Sequence, residues 1–394
     1  MLLRRAPFLL PGAVALLLGL DAGLQLLNLP SVPLANRLPD VHGMLLVLGF
    51  VGTLIALERA VALRRRWGFA APALLGAGGM LIVPTATARA GQVLLVAGSA
   101  ALALVYVSLW KRQRDEAVTI QALGAVLALG AAMLWLRDVP IPSLLPWLAG
   151  FVVLTIAGER LELARIDLAR NGPAQVCAAA LVVATPVSLL WPTAGQPLFG
   201  LVLLALVGWL VTHDAARRTV RASGLPRFAA LCLLAGYAWL TLAGALWLLA
   251  GPVLEGPAYD ATVHAVFLGF TLSMIMAHAP VILPAVLRVS LPYRPALYGP
   301  AVLLHASLLI RVGAGDARDW ELARDVGGAL NVVAVLSLLV VLVWSAATAS
   351  RRSATRDRPR AAPADASAQA PAQSPTEAPA IAPPLRGRAP EVVR

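Results

Sequence analysis

Ionisable side chains are scarce in this sequence and fall at regular places. The 394 residues include five histidines, and 13% of the chain is charged. Two of the histidines, His264 and His278, lie fourteen residues apart in the apolar run TVHAVFLGFTLSMIMAHAPVILPAVL. At about 100° per residue, that spacing returns to within roughly 40° of the starting direction, about 21 Å further along a helix. Both rings therefore share a face, one near each end of a hydrocarbon layer, where ionisable groups are costly and rarely meet lipid. His42 opens DVHGMLLVLGF much as His264 opens TVHAVFLGF, seven and five residues before a Gly-Phe pair. The two imidazoles are thus expected within about one turn of the same depth. Neutral imidazole ligates haem iron, and two rings on facing helices can clamp a porphyrin edge-on. The plain alternative is a pair of interfacial histidines solvated by headgroups or loop water.

The Gly-Phe pair heads three related stretches: GFVGTLIALERAVAL from Gly49, GFVVLTIAGERLELA from Gly150 and GFTLSMIMAHAPVIL from Gly269. Nine positions after each glycine stands Glu58, Glu159 or His278, the first two followed by Arg59 and Arg160. Three such helices packed about a pseudo-axis bring these groups together, as a proton relay, a metal site or simple charge pairs. His305 is expected mid-membrane, as a metal partner of His278 or His264 or a cavity-lining residue beside Tyr298, and Asp21 in LLLGLDAGLQLLNL as a further intramembrane carboxyl. Met44, Met274 and Met276 are soft copper ligands or gap fillers.

The elements that position these groups follow from composition. The chain is 59% hydrophobic with mean hydropathy +0.79, which identifies an all-α, polytopic membrane protein whose first partner is the lipid bilayer. Twelve spans are expected, at about 7–28, 40–63, 69–88, 92–110, 117–136, 142–163, 173–192, 196–213, 227–250, 261–287, 295–313 and 325–349. The net charge of +12 reflects arginines gathered in alternate loops and gives no sign of a nucleic-acid partner. Their placement predicts both termini on the cytoplasmic side. The Gly-Phe spacing suggests three tandem four-helix quasi-repeats, about 1–114, 115–221 and 222–350. From 351 to 394, Pro, Ala, Ser and Arg without periodicity predict a disordered cytoplasmic tail. Cys177 and Cys232 lie in apolar runs and read as packing residues.

Twelve spans in three quasi-repeats, with histidines on spans 2 and 10, resemble the subunit I fold of haem–copper oxidases. The segments HGMLLVLGF and HAVFLGFTLSMIMAHAP are similar to the NnrS family, twelve-helix haem- and copper-containing proteins tied to nitric oxide and denitrification. The resemblance implies haem b on His42 and His264, copper as a further cofactor, and a bacterial inner-membrane location. It also implies an electron donor or metal-delivery protein as partner. Spans 6 and 7 carry no histidine, so the binuclear oxygen-reducing centre of those enzymes has no ligands here. A second reading is a proton-coupled transporter or channel using Asp21, Glu58, Glu159, His278 and His305.

Overall fold

The computed structural model describes residues 5–32, 37–164 and 168–356. Among them there are helices and no strands. Eleven helices are long and apolar enough to cross a membrane, so the chain is a multi-pass helical membrane protein. We label the helices α1 (Ala6–Leu26), α2 (Leu38–Leu63), α3 (Ala70–Leu81), α4 (Ala88–Gln113), α5 (Glu116–Leu136) and α6 (Ile141–Ala164). There follow α7 (Leu168–Leu190), α8 (Pro192–His213), α9 (Gly224–Ala250), α10 (Gly256–Leu287), α11 (Pro295–Asp316) and α12 (Glu321–Arg356).

The third expected span differs from its prediction. Instead of filling 69–88, the helix α3 covers twelve residues between two 3₁₀ turns, Arg66–Phe69 and Thr85–Thr87. Pro84 is extended at φ −77° and ψ 135° and has no amide hydrogen, so the helix stops before it. Twelve residues reach about 18 Å, short of a hydrocarbon core about 30 Å thick.

Helices that follow one another pack side by side from α3 to α10, through short connections. Glycine sets the closest approaches. A Cβ on Gly79 of α3 would lie 2.9 Å from the Gly49 Cα of α2, and one on Gly269 of α10 would lie 2.4 Å from Trp239 of α9. A Cβ on Gly150 of α6 would lie 2.5 Å from Leu127 of α5, so all three Gly-Phe glycines allow a neighbouring helix to press close where a larger side chain would hold it off.

Among the described residues, three stretches leave α geometry for the wider π-helix: Leu45–Gly52 in α2, Ala265–Leu272 in α10 and Leu309–Asp316 in α11. The first two are each eight residues long and each begin four residues before the Gly-Phe glycine. The matching stretch of α6, around Gly150, stays α-helical.

The chain divides into two compact units, Met1–Arg352 and Ser353–Arg394. The first holds the membrane body. Residues 351–356, where the tail was expected to begin, are helical as the end of α12. The rest of the expected disordered tail, from 357, lies outside the described residues.

Candidate functional site: two cavities on one helix seam

His42 and His264 line one cavity of about 480 Å³. We call its end of the bundle upper. Its walls come from α1, α2, α6, α10, α11 and α12, and all three π segments contribute to it: Leu46 and Val47, Phe267 and Leu268, and Arg311. Leucine, isoleucine and valine make the largest part of the lining, with Gly19, Gly23, Gly43 and Gly328 as bare wall. A Cβ on Gly23 would stand 3.5 Å from the His42 ring.

Each ring is held at Nδ1 by a backbone carbonyl, His42 by one from α1 and His264 by one from its own helix, with the Asp260 carboxylate a further 3.4 Å contact to His264 Nδ1. His42 Nδ1 lies 2.9 Å from the Gly19 carbonyl, and His264 Nδ1 lies 2.7 Å from the Asp260 carbonyl. A carbonyl only accepts, so each Nδ1 carries the proton and donates. Each Nε2 then keeps its lone pair, and neither makes a hydrogen bond among the described residues. This is how a protein fixes the tautomer and aim of a metal-binding imidazole. Asp260 also accepts two bonds from Arg311, at 2.9 and 2.8 Å. Arg324, another lining residue, bonds Asp316 and Asp319 at 3.3 and 3.2 Å. Asn331, also in the wall, accepts from Ser307 while its buried Nδ2 has no partner.

A second cavity of about 200 Å³ lies further along the same helices. Five of them, α1, α2, α6, α10 and α12, line both. The linings nearly join in sequence: Leu16 below Gly19, Phe50 below Val47, Thr271 below Leu268 and Val335 below Val332. Glu58, Glu159 and His278, the three residues placed alike by the sequence stretches, all line this lower cavity. The structure brings them together.

Their partners separate them from the upper histidines. Arg59 bonds Glu58 at 2.6 Å, Glu159 at 3.5 Å, Glu162 at 3.3 Å and Gln121 at 3.3 Å. Three carboxylates thus surround one guanidinium that is 8% exposed. Arg160 turns the other way. It makes two 2.8 Å bonds to Asp214 and reaches His278 Nε2 at 3.3 Å. The Tyr237 hydroxyl donates to Asp214 at 2.6 Å, as does the Ala216 amide at 2.8 Å. Burial alone would raise the Asp214 carboxyl, but the Arg160 bonds and charge, with the Tyr237 and Ala216 donors, hold it below the usual carboxylate range.

The remaining expected site residues stand apart. His278 donates from Nδ1 to the Met274 carbonyl at 2.8 Å and accepts from Arg160 at Nε2. His305 accepts from the Trp239 indole at 3.0 Å and lines neither cavity. The structure therefore does not present these two as a shared pair of free ring nitrogens. Among the described residues no group of three or more His, Cys, Asp or Glu is placed to hold a metal ion. Asp21 also lines neither cavity. It accepts from Gln25 and from the Val32 amide, both at 2.8 Å, and so ties the chain leaving α1 to the end of that helix. α1 ends at Leu26, which puts Asp21 nearer a helix end than the sequence reading expects.

Nothing in the sequence singles out Gln121, Glu162, Asp214, Tyr237 or the Asp260–Arg311 pair. Their only sequence signal is being polar within or beside apolar spans.

A family model described as a domain of unknown function (DUF8744) matches residues 5–347. No curated protein and no solved structure matches the chain.

Proposed function

The chain belongs to the DUF8744 family, and we propose that it is a haem-binding membrane protein. In this reading His42 and His264 hold haem b in the upper cavity. The observation that carries it is two imidazoles facing one cavity, each with Nδ1 engaged by a carbonyl and Nε2 left as a lone-pair donor. The lining supports the fit. Gly23 leaves flat wall beside the His42 ring, and the unpartnered Asn331 Nδ2 offers a donor, while Arg311 and Arg324 offset the Asp260, Asp316 and Asp319 charges. Bound there, haem supplies one-electron chemistry. The chain's own residues fix the two imidazoles, exclude water with aliphatic walls and hold Arg311 beside Asp260.

The role follows as electron transfer, or nitric oxide or metal homeostasis, in a bacterial inner membrane. Oxygen reduction is no part of it, because α6 and α7 lack the histidines of a binuclear centre. This reading gives copper no site at His278 and His305, since both His278 nitrogens are bonded and His305, whose Nδ1 accepts from Trp239, lines neither cavity. In this reading α3 makes the twelfth pass together with its two flanking 3₁₀ turns, which would keep both termini inside and the three quasi-repeats. An electron donor is the implied partner.

An optical spectrum of the purified protein, reconstituted with haem, tests this. The expected result is a Soret band that disappears in His42→Ala and in His264→Ala. A wild-type protein without a Soret band after haem supplementation overturns it.

One observation favours a second reading. The two cavities are stacked on the same five helices, with Glu58, Glu159 and His278 in the lower one. This suits a proton path through the bundle. Proton flux into liposomes that is lost in Glu58→Gln, from protein holding no haem, would replace the haem reading with this one.

A further inference from the structure

A third cavity opens at the lower end of the bundle. Its volume is about 810 Å³, and four of its eight lining residues are arginines from four segments. Arg5 precedes α1, Arg64 follows α2, Arg112 is in the last turn of α4 and Arg288 follows α10. No acidic residue lines it. We propose that this cavity binds the phosphate headgroup of an anionic phospholipid, with an acyl chain entering the lower apolar cavity.

Part of the positive charge has a structural use. Three helices end here, and helix C-termini present carbonyls with partial negative charge. Arg5 bonds the Val286 carbonyl at 3.0 Å, and Arg112 bonds those of Ala62 and Leu63 at 3.1 and 3.4 Å. Those two arginines cap the helices. Arg64 and Arg288 do not: neither side chain has a hydrogen bond or ion pair among the described residues. Both also adopt left-handed backbone, at φ 58° and 56°. That position after a helix favours glycine or asparagine, because an L side chain there crowds its own backbone. The same left-handed cap ends α4 at Arg114, outside the cavity and stacked on Trp110, so what sets Arg64 and Arg288 apart is that two unpartnered guanidiniums share one cavity.

The second argument concerns the neighbouring space. Leu9, one turn beyond Arg5, lines the lower apolar cavity, as do Leu57 before Val61 and Val286 beside Ala285. Basic headgroup contacts and aliphatic wall therefore lie next to each other on α1, α2 and α10. A soluble phosphate uses only the first. A phospholipid uses both, and basic pockets between membrane helices suit anionic headgroups.

Native mass spectrometry of the full-length protein in mild detergent tests this, with cardiolipin, phosphatidylglycerol and phosphatidylcholine added separately. The variant is Arg64→Gly with Arg288→Gly, which removes both charges while relaxing the backbone, so folding is kept. The control is Arg217→Gln with Arg218→Gln, arginines outside the cavity. The expected result is retention of the anionic lipids over phosphatidylcholine by about tenfold, lost in the glycine variant and kept in the control. Equal retention of phosphatidylcholine, or an equal loss in the control, overturns the site. Displacement of the lipid by millimolar inorganic phosphate overturns the lipid assignment in favour of a free-anion site. None of these readouts depends on haem.

Discussion

The upper and lower cavities share five helices yet leave their polar groups in opposite conditions. In the upper cavity two imidazoles are each fixed at one nitrogen and free at the other. The polar groups of the lower cavity are bonded to side chains behind its wall: Glu58 and Glu159 to Arg59, which also holds Glu162 and Gln121, and His278 to Arg160, which also holds Asp214. The lesson is that an ionisable side chain in a membrane marks a ligand site when the surroundings orient it and leave a lone pair facing open space. Where neighbours use its bonds, the same residue type joins helices or passes protons. His264 and His278, on one face of one helix, are the clearest pair of opposites.

The sharpest way to break this contrast is to compare alanine variants of the histidines. His42→Ala and His264→Ala are each expected to lower Soret absorbance more than about tenfold, while His278→Ala keeps it. Equal losses at all three positions would erase the distinction between the cavities.

The next largest effect is on folding. Arg160→Met leaves Asp214, with 1% of its side chain exposed, as a buried unpaired charge, at about 3–5 kcal/mol. Thermal unfolding in detergent measures it, and the haem spectrum of the protein that folds should be unchanged. The same pair sets an acid limit. Because the folded Asp214 carboxyl sits below its ordinary value, its stabilisation is complete above the unfolded pKa of about 3.9 and is lost as pH falls through the folded value. Asp214→Asn should therefore lower stability at neutral pH and flatten the fall below about pH 4.

A smaller effect separates the charges around Arg59. Three carboxylates share one guanidinium, so Glu58→Gln should cost about 1 kcal/mol, against about 3–5 for Arg59→Gln, which strands them. Comparable unfolding midpoints for the two variants would show that the cluster carries less net negative charge than the geometry suggests. The smallest effect is expected at Asp21. Its bonds are to Gln25 and the Val32 amide, so Asp21→Asn should change stability by about 1 kcal/mol or less and leave the spectrum intact.

The sequence made some of this legible. Apolar length placed most helices, because a bilayer demands about 20 such residues whatever their order. Counting from a Gly-Phe marker was enough to put Glu58, Glu159 and His278 at one cavity, since fixed rise per residue turns equal spacing into equal depth. The same count placed His42 and His264 together. What stayed hidden depends on contacts between helices far apart in sequence. Nothing local in ERLELARID or VTHDAARR says that Arg160 will find Asp214. The π segments are also silent, since GFVVLTIAG in α6 stays α-helical while its counterparts in α2 and α10 do not. Asp21 misled because a carboxylate that fastens a returning chain and one that lines a passage look alike in an apolar run.

The widened turns of α2 and α10 lie between the upper histidines and the lower polar residues, in the same register on both rods. Each works as a phase offset. A one-residue deletion there would let the coil tighten and swing everything beneath it by about 100°. Glu58 or His278 would then rotate away from the seam while the imidazole above kept its aim. The vertical alignment of the two chambers is thus set by a pair of matched irregularities, and a shortened rod would keep its upper half and lose its lower one.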